Sequence, residues 1–303
     1  MQQILLRAVS LVLVVLIGYL IKRAGWVKAS DFPIFTAIVL RITLPAALIT
    51  SFNQFDVTPG LLFLAGIGIA VNLVGSLAGY LTARRDGPSG QAFAVLNSNS
   101  YNIGAFATPY ISGFMGPQSM IYASVFDVGN AVTAGGITLG WAKHLARADG
   151  RTSPGTFLRD LFGSPIFVTY LGLLIMRLLS LQLPAEVITF TSIVGSANTF
   201  LAMLMIGIGL ELRLDRHKYA IAARLLGLRY ALATLFTLLT WYALPVPGAI
   251  RIVLCMLFFA PIAAMISGFV QDIDGDVELS TFMTSLSILV GIVAMPLLLI
   301  GLS

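Results

Sequence analysis

Asn97-Ser98-Asn99-Ser100-Tyr101-Asn102 interrupts an apolar stretch that runs from about 91 to 114, and Gly104, Pro109 and Gly113 follow it. An unbroken run of polar side chains near the middle of a hydrophobic segment is a poor way to stabilise a lipid-facing helix. Asn and Ser compete with the backbone for hydrogen bonds, and Pro109 has no N–H to give. Unwound backbone at membrane depth is tolerated only where protein or a water-filled cavity satisfies it. The stretch therefore predicts a discontinuous helix facing an interior space, with Asn97, Ser98, Asn99, Ser100, Asn102 and Gly104 as candidate ligand contacts and Pro109 as a helix breaker. An interhelical polar zipper, in which Asn and Ser cross-link neighbouring helices, is the alternative.

The remainder of the chain supplies the membrane context. Of 303 residues 58% are hydrophobic and 10% charged, and mean hydropathy is +0.94; a soluble domain carries roughly a quarter charged residues. So much apolar side chain has no soluble core large enough to hold it, and lipid is the natural solvent. The high pI of 9.5 points away from nucleic acid, because Lys and Arg cluster between apolar runs as topology signals do. Cys255 is the single cysteine, so no intrachain disulfide is possible and a buried structural thiol is expected. No cofactor or metal set is recognisable.

A crossing needs roughly 20 apolar residues. Ten such segments are predicted, at 3–22, 32–52, 59–82, 91–114, 117–142, 158–180, 185–211, 219–243, 248–270 and 277–301. The first is expected to be a retained helix rather than a signal peptide, since Lys22, Arg23 and Lys28 follow it instead of preceding it. With both termini outside, one side holds Lys22, Arg23, Lys28, Arg84, Arg85, Lys143, Arg147, Arg151, Arg159, Arg213, Arg216, Lys218 and Arg224. The other holds Arg7, Arg177 and Arg251. That bias assigns the richer side to the cytoplasm of an inner (plasma) membrane protein. The acidic loop from Gln271 to Glu278 lacks the spacing of a calcium loop and is expected to be a solvated turn.

Five crossings per half would turn the second half upside down. Gly18-Tyr-Leu-Ile-Lys-Arg ends segment one and Gly172-Leu-Leu-Ile-Met-Arg ends segment six. At nearly the same offset, Leu44-Pro-Ala-Ala-Leu matches Phe200-Leu-Ala-Met-Leu. The shared register predicts two inverted five-helix repeats, 1–147 and 148–303. Pro261 falls near the middle of segment nine, the repeat partner of segment four, and biases Ala260 away from helix. Paired interruptions of this kind point to a transporter's binding site. If Asn102 or Ser100 caps the second half of segment four, and Pro261 begins the second half of segment nine, two helix N-termini converge and favour an anion such as a carboxylate.

Other intramembrane polar residues extend this site. Asp127, with Asn130 on the same helix face, is costly in lipid and reads as a proton carrier, cation ligand or dipole partner. Arg229 is a candidate partner for Asp127. Arg41, one turn before Pro45, could meet a substrate carboxylate, snorkel or pair with an acid. Asn198 and Thr199 correspond to the Arg41 to Thr43 region and read as packing. Gly75 to Gly79 and Gly136 to Gly140 are small-residue motifs for close helix approach.

Gly18-Tyr-Leu-Ile-Lys-Arg, Leu44-Pro-Ala-Ala-Leu, the break at 97–104, Phe126-Asp-Val-Gly-Asn130, Met205-Ile-Gly-Ile-Gly-Leu and Ala260-Pro-Ile-Ala-Ala together resemble the auxin efflux carrier family over nearly the whole chain. Asn97-Ser-Asn-Ser-Tyr-Asn is more polar than the Asn-Thr-Gly-like stretch usual there. The resemblance implies an all-α polytopic fold similar to sodium/proton antiporters and bile-acid symporters, with segments four and nine crossing. It implies a scaffold of helices one, two, six and seven, a moving domain of helices three to five and eight to ten, elevator-type motion and a homodimer. Malate, malonate, lactate and auxin are the substrates it suggests.

The chain lacks HExxH, GxSxG, Walker A and GxGD patterns, and His144 and His217 sit at helix ends, which argues against an enzyme. A secondary transporter or uniporter of a small organic anion is expected, with H+ or Na+ as the coupling ion of any uphill transport. An anion channel or membrane sensor could use the same polar midplane.

Overall fold

The computed structural model describes residues 2–54, 59–146, 154–163, 165–179, 181–211 and 213–302. The expected boundary between halves at 147 and the topology residues Arg147 and Arg151 lie outside the described residues. Every regular element described is helical. In chain order these are α1 (Gln2–Arg23), α2 (Phe32–Asn53), α3 (Gly60–Thr82), α4 (Gly87–Asn97), α5 (Thr108–Met115), α6 (Gln118–Val132) and α7 (Leu139–Ala146). Then come α8 (Pro154–Gly163), α9 (Pro165–Leu178), α10 (Ala185–Gly209), α11 (Arg216–Ala243), α12 (Gly248–Phe258), α13 (Ile266–Gln271) and α14 (Val277–Leu302). Among the described residues, five helices, namely α2, α3, α10, α11 and α14, are long and apolar enough to cross a membrane.

Widened π turns occur at Val39–Thr43 within α2, at Ile103–Ala107 leading into α5, and at Thr133–Thr138 joining α6 to α7. The second of these accounts for Pro109. It does not break the helix; it lies in the first turn of α5, just past a turn already wound too loosely to need its missing N–H. The helix is broken earlier, where α4 stops at Asn97, and a second time where α12 stops at Phe258.

Small residues set the packing. Gly207 of α10 lies against the Val15 carbonyl of α1, and Gly18 of α1 against the Leu204 carbonyl, so the two backbones touch. Helix α2 runs against α9 and α10. Across that contact Thr43 Oγ1 donates to Asn198 Oδ1 (3.0 Å) and Thr50 Oγ1 to Thr191 Oγ1 (3.0 Å). On the other side of the molecule α3 packs on α4 and α6, and Gly129 of α6 meets the Ala65 carbonyl. Helix α14 packs on α12 and α13, and α11 on α12.

The acidic loop is solvent-exposed, as expected, and is also tied down by ion pairs. Asp272 pairs with Lys143 of α7 (3.4 Å), while Asp276 and Glu278 share Lys218 at the start of α11 (2.8 and 2.6 Å). Arg224 of α11 grips Asp86, beside the start of α4, through both guanidinium nitrogens. The loop thus ties together helices far apart in sequence. Partial burial of Asp276 works to raise its pKa, but the Lys218 ammonium outweighs that and holds the carboxyl below its usual range. The same contacts raise Lys218.

Two stability outcomes follow from these contacts. Gly129→Ala forces a Cβ into the α3 backbone and should lower the unfolding temperature of detergent-purified protein by an overpacking cost of about 1–3 kcal/mol. Gly227→Ala, where a Cβ meets nothing within 4 Å, should not. Lys218→Met should destabilise at neutral pH. Because the depressed Asp276 titration contributes stability only above the ordinary aspartate value of 3.8, the gap to wild type should shrink as pH falls below it. A thermal scan series from neutral to acid pH measures both; a gap independent of pH would remove Asp276 from the account.

Candidate functional site

The two breaks meet. After Asn97 the chain runs unwound to Asn102, whose backbone N–H donates to the Pro261 carbonyl of the second break (2.8 Å). Ser100 adopts φ 61°, a left-handed conformation that costs a non-glycine residue roughly 1 kcal/mol or more. It persists because Asn72 of α3 accepts the Ser100 N–H at 2.6 Å. The next residue is held at both ends by Asn130 of α6, whose Oδ1 accepts the Tyr101 N–H (2.9 Å) and whose Nδ2 donates to the Tyr101 carbonyl (2.9 Å). In the second break, the Ile262 N–H donates to Ser287 Oγ of α14 (3.0 Å).

Arg229 joins the two breaks. Its guanidinium donates to the carbonyls of Asn99 (3.0 Å), Ser100 (3.0 Å) and Ala260 (2.9 Å), and lies 4.6 Å from the centre of the Tyr101 ring. The three acceptors belong to the unwound chain just past α4 and α12. Hydrogen bonds from a charged donor contribute about 1.5–3 kcal/mol each. This corrects the expected pairing with Asp127: no ion pair between the two is present among the described residues. Carbonyls of the two unwound segments occupy the guanidinium instead.

The polar run divides into two. Asn97 accepts from Ser280 Oγ (2.8 Å) and donates to the Phe93 carbonyl (2.9 Å); Asn99 donates to Ser76 Oγ; Ser98 packs on Gly79. With Ser100 these are buried and line none of the described cavities. The expectation that Asn97, Ser98, Asn99 and Ser100 contact a ligand is therefore corrected: they face α3, α14 and Arg229, and stitch the break to its neighbours. Asn102 and Gly104 do line a cavity, of about 160 Å³, together with Tyr101, Asp127, Asn130 and Tyr170. Asn130 donates to Asp127 Oδ1 at 2.8 Å.

Three further expectations change. Pro261 contributes its carbonyl to Asn102 and lines no described cavity, and the helix after it resumes only at Ile266, so it does not begin a half-helix. Asn102 stands at the N-cap before Ile103 but makes no side-chain cap hydrogen bond, so its carboxamide stays on the cavity wall. Arg41 is exposed on α2 and absent from the cavity walls, because the widened turn that contains it buries Val39 and Thr43 instead.

A second cavity of about 380 Å³ shares Leu40, Asn102, Ala105 and Ala264 with the first. It leads from them to Lys22, Glu211, Thr281 and Ser285 at one end of the bundle. The two cavities adjoin through those shared walls. Toward the other end a separate cavity of about 240 Å³ is walled by hydroxyls, among them Thr50, Ser51, Ser112, Ser192 and Thr199.

Asn72, Ser76, Tyr101 and Tyr170 were not singled out from sequence. Asn72 alone offered a signal, an amide within an otherwise apolar stretch of segment three.

No family model matches the chain. A protein of Methanothermobacter thermautotrophicus named as an uncharacterized transporter is 26% identical to it over 296 residues, 95% of each chain. The matched stretch includes both breaks.

Two substitutions separate the halves of the polar run. Asn72→Ala leaves the buried Ser100 N–H unpaired, a cost of about 1–3 kcal/mol, and should lower the unfolding temperature clearly. Asn102→Ala keeps the backbone bond to Pro261 and should leave that temperature nearly unchanged while weakening ligand binding. Equal thermal losses in the two variants would contradict the division.

Proposed function

We propose that the chain is a carrier that binds a small organic anion, such as a carboxylate, in the cavity at the crossing of the two broken segments. The single observation that carries this reading is the crossing itself: unwound backbone from two segments, joined through Asn102 and Pro261, beside a cavity that adjoins a second one leading to one end of the bundle. Irregular backbone at membrane depth belongs where it lines a site. The relative's name, a transporter, supports the same class. The sign of the ligand follows from the charge behind the wall, since Arg229 lies beyond Tyr101, and from the start of α5, which the Ile103–Ala107 turn directs at the cavity.

Membership of the auxin efflux carrier family and the inverted repeat belong to this reading. Thr43 and Asn198 occupy corresponding positions of the two halves and bond to each other, as residues on a pseudo-two-fold axis would. The α1 contact with α10 has its counterpart in that of α9 with α2. Helices α1, α2, α8, α9 and α10 then form the scaffold, and α3 to α7 with α11 to α14 the moving body, in a homodimer that works as an elevator. Its basic end faces the cytoplasm, and the second cavity reaches that side. Asp127, on the cavity wall, is the coupling group for H+ or Na+. A channel or sensor would use the same crossing without alternating access.

Purified protein in liposomes should exchange a labelled carboxylate in saturable counterflow, whereas an ohmic, unsaturating anion current would sink the carrier reading. Asp127→Asn should keep counterflow and lose its dependence on pH or sodium. If the variant retains wild-type ion dependence, coupling lies elsewhere.

A further inference from the structure

Asp127 and Arg229 are the charged side chains buried among the described residues. They do not meet. Asn130 holds both Asp127 and the Tyr101 backbone, and the guanidinium lies over the Tyr101 ring. Arg229 is 2% exposed, and its three acceptors are neutral carbonyls. They take its two terminal nitrogens, leave Nε without a partner and leave its unit charge uncancelled. That charge lies against the Tyr101 ring, and Tyr101 also lines the cavity. A structural tie between three carbonyls needs donors; it does not need a field directed at a binding cavity.

From this geometry we infer that Arg229 is a positioning residue that sets the charge preference of the cavity, acting from behind Tyr101 so that an anion is taken over its neutral isostere. The inference deepens the proposed function and rests on it. Asp127 opposes the same field from the cavity side. With its carboxylate charged, an added anion gains less. With the charge removed, by a bound cation or by substitution, the full attraction of Arg229 falls on the ligand. At an effective dielectric of about 20 and a separation of about 8 Å, one charge on another changes affinity by roughly 30-fold.

The test measures binding to detergent-purified full-length protein at fixed ionic strength, by calorimetry. The probes are acetate, propionate and succinate, each beside its amide. Wild type should favour the acids. Arg229→Gln should lose that preference to within about threefold, a range set by the screened charge alone. Arg229→Lys should keep most of it while binding acids and amides alike less tightly, because the ammonium cannot reproduce the planar fork. Asp127→Asn should move the other way and strengthen the preference.

A monodisperse Arg229→Gln protein that still prefers acids as wild type does would overturn the inference while leaving the anion site in place. So would an Arg229→Lys protein that loses the preference as completely as Gln. If Arg229→Gln does not fold, Arg229→Lys and Asp127→Asn decide it, and an unchanged preference in Asp127→Asn counts against the charge mechanism. Wild type that takes amides as readily as acids, or takes neither, would instead refute the anion reading of the cavity, and the inference with it.

Discussion

Backbone amides and carbonyls that leave a helix within a membrane have no water to turn to, and each one left unpaired costs about 1–3 kcal/mol or more. Two such departures at one place would be ruinous without partners. Here the partners are side chains on surrounding helices: Asn72 on α3 for Ser100, Asn130 on α6 for Tyr101, Arg229 on α11 for three carbonyls, Ser287 on α14 for Ile262. The breaks also serve each other through Asn102 and Pro261. The arrangement of α3, α6, α11 and α14 follows from this demand. Each must bring one polar side chain to a particular main-chain atom, and small residues such as Gly75 and Gly129 let the backbones come close enough.

That satisfaction is one-sided. Residues 97–100 and their partners form a packed polar block, whereas 101–105 and 263–265 face open volume. A break tied on one side and free on the other can hold its shape while presenting main-chain and side-chain groups to a ligand. At the basic end the ion pairs of Lys143, Lys218 and Arg224 bind α4, α7, α11 and the acidic loop together. Those helices all belong to the body proposed to move. Polar contacts from it to the other helices among the described residues include Arg7 to the Gly113 carbonyl (3.0 Å), Thr199 to the Pro109 carbonyl (3.4 Å) and Ser51 to the Met120 sulfur (3.2 Å) toward the other end, and the Glu211 N–H to Ser285 Oγ (2.9 Å) at the basic end.

The sequence made the helical class and the two interruptions legible, because long apolar runs and polar residues within them are strong signals. It could not divide the run at 97–102. An unwound strand has no fixed periodicity, so nothing in the order of Asn and Ser says which side chain faces protein and which faces space. Arg229 was assigned to Asp127 because opposite charges in lipid are expected to pair, but carbonyls of unwound segments are acceptors that composition does not display. Arg41, one turn before Pro45, sits in a widened turn that has no sequence signature. The acidic loop is exposed as its composition suggests, but its partners Lys143 and Lys218 are remote in sequence.

Separation of Arg229 from Asp127 has a physical consequence that direct pairing would remove. A buried guanidinium and carboxylate in contact attract so strongly that neither responds to a ligand, and their mutual bond mostly offsets the desolvation of both. Held apart, each is bound by neutral groups rather than by the opposite charge: Asp127 by Asn130, and Arg229 by three carbonyls and the Tyr101 ring. Asn130 transmits the state of Asp127 to the Tyr101 backbone, since a single carboxamide holds both. Under the proposed function, occupancy at the carboxyl would reach the first break through this one side chain.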